Sequence, residues 1–281
     1  MKNKEQNSWT TLARLGGALL AAVVLWLGLS GAAQAGRSCE TQTLKAETLE
    51  RGLSLAERTL HALDASGARV VLLARAGQDL SKYGLRYSHL GFAYRQDDGQ
   101  GGHVWRVLHK LNHCGTQEAA MYRQGLGEFF IDDLWRYEAA WVVPAPEVQE
   151  RLLALLKDER RALALHHKPY SIVSYAWGQK YQQSNQWAIE TLAVAMEPSV
   201  YSRERAQAWL QFKGYQPTTL RINAFTRLGG RLGAANVAFD DHPSEKRFSD
   251  RIETVTVDSV FAWMQRAQLG GAVQKAALTR Y

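Results

Sequence analysis

The chain has 281 residues, 46% of them hydrophobic and 22% charged, with a net charge of +7. Those values suit a globular core and exclude a disordered, collagenous or coiled-coil chain. Lys and Arg are scattered rather than clustered and no nucleic-acid motif is present, so the charge supports at most weak attraction to an anionic envelope polymer or membrane surface.

The first 35 residues read as a signal peptide. Lys2, Lys4 and Arg14 form a basic region, "LLAAVVLWLGL" at 19–29 is an apolar core, and Ala33-Gln34-Ala35 is a small-x-small cleavage site. The apolar run over 15–33 nearly reaches spanning length, so an uncleaved anchor is the alternative. With cleavage, the expected product is residues 36–281, with no stable membrane span, periplasmic or secreted. Cys39 and Cys114 are the only cysteines. In an oxidising compartment they are expected to form one disulfide, which would bar Cys114 from acting as a nucleophile.

Leucines near helical spacing predict a helix over 40–63, with Leu44, Leu49, Leu53, Leu55, Leu60 and Leu63 on its apolar face. "RVVLLAR" at 69–75 is a buried strand. "SHLGFAYR" at 88–95 and "HVWRVLHKLN" at 103–112 are two strands joined by the "QDDGQGG" turn. Residues 119–135 read as a polar-aromatic loop with short helical turns. "AAWVVPAP" is a further strand, stopped by Pro144 and Pro146. A helix follows from Pro146 through "PEVQERLLALLKDERRALAL". "KPYSIVSYA" is loop or short strand. A helix runs from Ser184 to about Met196, and another covers 202–213. "GGRLG" at 229–233 reads as a Gly-rich loop, 252–257 as a strand, and Asp258 as the cap of a final helix. No internal repeat or domain boundary stands out, so residues 36–281 are expected to form one domain.

Chemistry can sit at few places. On its strand, His89 shares a face with Tyr87, Gly91 and Ala93, which leaves room beside the ring for a reacting group. His109 shares a face with Trp105 and Val107, and pairing across the turn would bring it near His89, where it could fix the imidazole tautomer. Ser184 opens a helix. It is either a plain N-cap or a nucleophile helped by the positive end of the helix, with Asn185 and Gln186 as oxyanion donors. "HKLNHC" together with His103 is only a weak metal pattern, and no metal or cofactor is expected. "FDDHP" at 239–243 reads as a solvated turn, with a second catalytic His at His242 or a cation site as the alternatives. His166-His167 reads as an offset to a helix dipole.

Ser88-His89-Leu90-Gly91, Pro169-Tyr170 and Gln183-Ser184-Asn185-Gln186 together resemble the motifs of circularly permuted papain-like proteins. These are the NlpC-type amidases and the lecithin–retinol acyltransferase relatives. The resemblance covers about residues 68–196 and implies an α+β fold, a small antiparallel sheet packed on helices, with a C-terminal α/β extension over 197–281. It implies His89 as base, His109 as orienter and Ser184 in the position of the usual Cys, with Tyr87 beside the cleft. The "YQQSNQW" run also resembles an uncharacterised exported bacterial family (domain of unknown function 2145). Two functions stay open. One is an exported hydrolase or acyltransferase acting on an amide or ester of a cell-wall peptide or lipid. The other is a non-catalytic envelope binding or scaffold protein on the same fold. Oligomeric state is not legible.

Overall fold

The protein is described by a computed structural model over residues 44–132 and 134–278. The expected signal peptide and Cys39 lie outside the described residues. Cys114 sits in the exposed turn after the third strand.

Helix α1 (Ala46–Ala65) leads into strand β1 (Val70–Ala76). Strands β2 (His89–Asp97) and β3 (His103–Asn112) form a hairpin, followed by β4 (Ala119–Gly125), the short α2 (Leu126–Phe130) and β5 (Arg136–Val142). Together with β8 (Gln274–Ala277) they make a six-stranded antiparallel sheet in the order β4-β3-β2-β1-β5-β8. Strand β1 lies in the middle and every one of its residues is buried. That explains its continuous apolar run in place of alternation. In the β2–β3 turn, Gly99 and Gly101 take positive φ and the Asp98 carboxylate accepts the Gln100 and Gly102 N–H groups.

Alternation divides the core in two. Leu72, Leu90, Phe92 and Leu108 point to one face, against helices α3 (Pro146–Lys157) and α5 (Ser184–Met196). Val71, Leu73, Ala93 and Val107 point to the other, against Leu55 and Leu63 of α1 and the Phe129-Phe130 pair of α2. After α5 come α6 (Arg203–Phe212), β6 (Thr218–Arg221), α7 (Ala224–Gly233), α8 (Ser244–Phe248), β7 (Arg251–Thr254) and α9 (Val257–Arg266). Strands β6 and β7 pair as a separate two-stranded sheet. Helix α9 joins the α5 side of the core, and β8 completes the main sheet.

Several expectations need correction. Leu44, which precedes α1, and Leu49 and Leu53 on it are exposed, and the buried stripe is Leu55, Ala56, Thr59 and Leu63. The loop expected over 119–135 contains β4, whose "AAMYRQG" lacks apolar alternation because it is an edge strand. The long helix from Pro146 stops at Lys157, where the Asp158 side chain caps a separate short turn, α4 (Glu159–Ala162). "GGRLG" is the second half of α7 rather than a loop. The last helix is capped by Thr256 in a reciprocal pair with Ser259, not by Asp258.

One buried charge pair locks the α5 side. Glu190 of α5 and Arg203 of α6 meet at 2.9 Å with almost no exposure. Gln182 and Gln207 donate to the same carboxylate, and Arg203 donates to the carbonyls of Gly178, Gln179 and Tyr181. Removing one member leaves the other buried without its partner. Arg203→Leu is expected to cost about 3–5 kcal/mol. The half-buried Arg51, paired with Glu47 on α1 and lying over the Tyr137 ring, serves as comparison, and Arg51→Ala should cost about 1 kcal/mol. Urea denaturation midpoints check both.

Candidate functional site

His89 opens β2, and His109 lies near the far end of β3. The β2–β3 ladder ends at Phe92 opposite Leu108. Beyond that point the His109 side chain leans over Gly91, where an added Cβ would stand only 2.9 Å from the His109 Cβ. The space that Gly91 opens beside His89 is therefore filled by His109. The rings meet edge to face, with His89 Nε2 2.8 Å from His109 Nδ1. His109 Nε2 faces the Gln124 side-chain oxygen at 2.7 Å. An amide oxygen only accepts, so His109 carries its proton on Nε2, and its Nδ1 accepts from His89 Nε2–H. Two imidazoles and an amide thus form a directed chain.

The surroundings keep that chain neutral at its centre. Burial, and then the charge of Arg75, pull the His109 pKa down to about 3, with the Gln124 hydrogen bond acting the other way. Arg75 lies over the Phe129 ring, donates to the Phe129 carbonyl and pairs with Asp132 at 2.7 Å. Phe129 also packs on both histidines. This arrangement fixes ring orientation and passes a proton preference along a line, as a positioned base and its orienter would.

Ser184 is held elsewhere. Helix α5 packs on the opposite face of the sheet from Phe129 and the histidine rings. Gln183, not Ser184, is the N-cap, its side chain accepting the Asn185 N–H at 2.8 Å. Ser184 is the first helical residue, and its hydroxyl donates to the Lys110 carbonyl at 2.6 Å. That carbonyl lies past the end of the β2–β3 ladder, so the hydroxyl takes the place of a lost strand partner. Tyr170, buried and raised in pKa by that burial, also bonds with Ser184. No hydrogen bond joins Ser184 to either histidine among the described residues.

The other expected residues have structural partners. Asn185 Nδ2 reaches the Val255 and Ser88 carbonyls at 3.4 and 3.5 Å, and its side-chain oxygen is buried without a partner. Gln186 is bound by Ser174 and by the carbonyls of Tyr175 and Ala176. Tyr87 donates to Glu138 at 2.6 Å, and burial raises its phenol pKa. His103 pairs with Asp64 at 2.9 Å, away from His109, so the "HKLNHC" residues do not converge. Among the described residues no group of three or more His, Cys, Asp or Glu is placed to hold a metal.

Two structural roles differ from expectation. His242 is no solvated turn residue. It is buried, 2.9 Å from Asp241, which in turn accepts the Tyr175 N–H. His166 and His167 follow α4, and the His167 backbone N–H donates to Gln182.

Sequence reasoning missed Arg75, Gln124, Phe129 and Asp132. Arg75 was the findable one, since period-two alternation puts it on the inward face with Val71 and Leu73. Gln124 sat in a strand that had no pattern.

The model of a family described as an uncharacterized protein conserved in bacteria (DUF2145) matches residues 62–264. No curated protein and no solved structure gives a significant match.

The histidine chain has a pH signature. Between about 6.5 and 3 the unfolded chain binds a proton at His109 that the native state does not. Stability therefore falls as pH falls through that window, by at most about 1.4 kcal/mol per pH unit from this site. Denaturation at pH 7, 6, 5 and 4 should show a steeper decline for the wild type than for His109→Asn.

Proposed function

The chain belongs to the DUF2145 family of uncharacterized proteins conserved in bacteria, and within it we propose a non-catalytic binding or scaffold role in the cell envelope. The observation that carries this reading is the Ser184 hydroxyl, spent on the Lys110 carbonyl. A serine nucleophile needs a base to take its proton, and a backbone carbonyl cannot do so. Export rests on the basic region, apolar core and Ala33-Gln34-Ala35 site of the N-terminal sequence. The Cys39–Cys114 disulfide belongs to the same proposal.

A second reading is favoured by the histidine chain. A strand-borne His89 oriented by His109 and Gln124, followed later in the sequence by Ser184 at a helix start, is the order of a permuted papain-like hydrolase or acyltransferase. For that activity on an amide or ester, Ser184 would have to leave Lys110 and reach an imidazole. The histidine chain would then act as base and orienter.

A fluorophosphonate probe separates the two readings. The binding reading expects no time-dependent labelling of the wild type above that of Ser184→Ala. Labelling that disappears in both Ser184→Ala and His89→Gln, with unchanged circular dichroism, would overturn it in favour of the hydrolase.

A further inference from the structure

We infer that the exposed face of α7 is a docking surface for an anionic phospholipid bilayer. The inference goes beyond the reading above and stands whichever way the Ser184 test falls.

Helix α7 is firmly started, with the Asn223 side chain accepting the Thr226 N–H at 2.9 Å. It touches the rest of the protein chiefly through Gly230, its one buried residue, which lies close against Val237. Phe225, Leu228 and Leu232 follow helical spacing and stand 87%, 56% and 81% exposed. Phe248, at the end of α8, is 75% exposed and lines a cleft of about 380 Å³ with Leu228. Among the described residues nothing buries these large apolar side chains on one helix face, and a cluster of them marks an interaction surface.

The charge around them selects the partner. Residues 221–239 contain Arg221, Arg227 and Arg231 and no Asp or Glu. Arg221 and Arg231 are exposed and form no ion pair among the described residues. Arg247 lines the same cleft and lies over the Phe248 ring. Arg227 is paired with Asp250 and contributes less. A helix with Phe and Leu on one side and arginines flanking them matches an acyl boundary beneath phosphate headgroups. Arginine side chains can keep their guanidinium groups at the phosphates while the apolar side chains enter. A second copy of the chain would instead bring arginine against arginine, which opposes self-association.

The test uses the full chain with vesicles of phosphatidylglycerol and phosphatidylcholine, or of phosphatidylcholine alone. Wild type is compared with Phe225→Ser/Leu232→Ser and with Arg221→Glu/Arg231→Glu. All three share the same N-terminal segment, so differences report on α7. Amide hydrogen exchange over 224–233 gives a local readout. The expected result is slower exchange there on anionic vesicles only, and at least fivefold weaker sedimentation with vesicles for both variants. Exchange over 224–233 that ignores anionic vesicles overturns the inference, as does binding equal among the three proteins. It is also overturned if the wild type is a dimer on size exclusion that Phe225→Ser/Leu232→Ser dissociates without any change at vesicles.

Discussion

The Glu190–Arg203 pair is the constraint around which the α5 side of the molecule is arranged. Its carboxylate sits on α5 and its guanidinium on α6, but the pair also reaches the irregular segment that lies between the β sheet and α5. Arg203 holds carbonyls from Gly178 to Tyr181, and Gln182 bridges from Glu190 to the Leu165 carbonyl, the His167 N–H and Lys110. A long stretch without helix or strand is thereby fixed through its backbone groups, which would otherwise be buried without partners. Lys110 shows the cost of this arrangement. It is fully buried, and burial and the charge of Arg203 bring its pKa down to about 7. Its ammonium donates to the Gln182 side-chain oxygen and the His167 carbonyl, and the Glu190 charge acts in its favour.

That same framework governs Ser184. The N-terminus of α5 is placed by Gln183, by the network below it, and by the gap where β2 and β3 stop pairing. A hydroxyl at that position meets a strand carbonyl in need of a donor. The histidine chain grows from the other face of the same two strands, and its order comes from Gly91, Phe129 and Gln124 rather than from α5. Two polar sites therefore share strands without sharing contacts.

Much of the fold was legible because its strongest elements have clear physical signatures. The buried β1 with its Val-Val-Leu-Leu run, the Asp-Gly turn of the β2–β3 hairpin and the polar-to-apolar step at Ser184 each match the structure closely. The elements that escaped notice are short or lie at edges. β4 and β8 carry no alternation because one side of an edge strand need not be buried, and α7 was obscured by its Gly-Gly pair. At the site, the meeting of His89 and His109 followed from alternation and the hairpin. The placement of Ser184 did not, because which face of a sheet a later helix covers depends on long-range packing that no local pattern encodes.

The position of β8 has a consequence for how the chain assembles. Trp141 on β5 bonds Gln274 on β8 across a separation of 133 residues. Until that late segment arrives, β5 presents a bare row of backbone donors and acceptors beside the most apolar strand of the sheet. A nascent chain cannot close its sheet as it emerges, because such distant pairing waits for the intervening loop to be closed. The polypeptide therefore stays open along one margin until β8 has been made, and over that interval the free edge of β5 is where pairing with a wrong strand would begin.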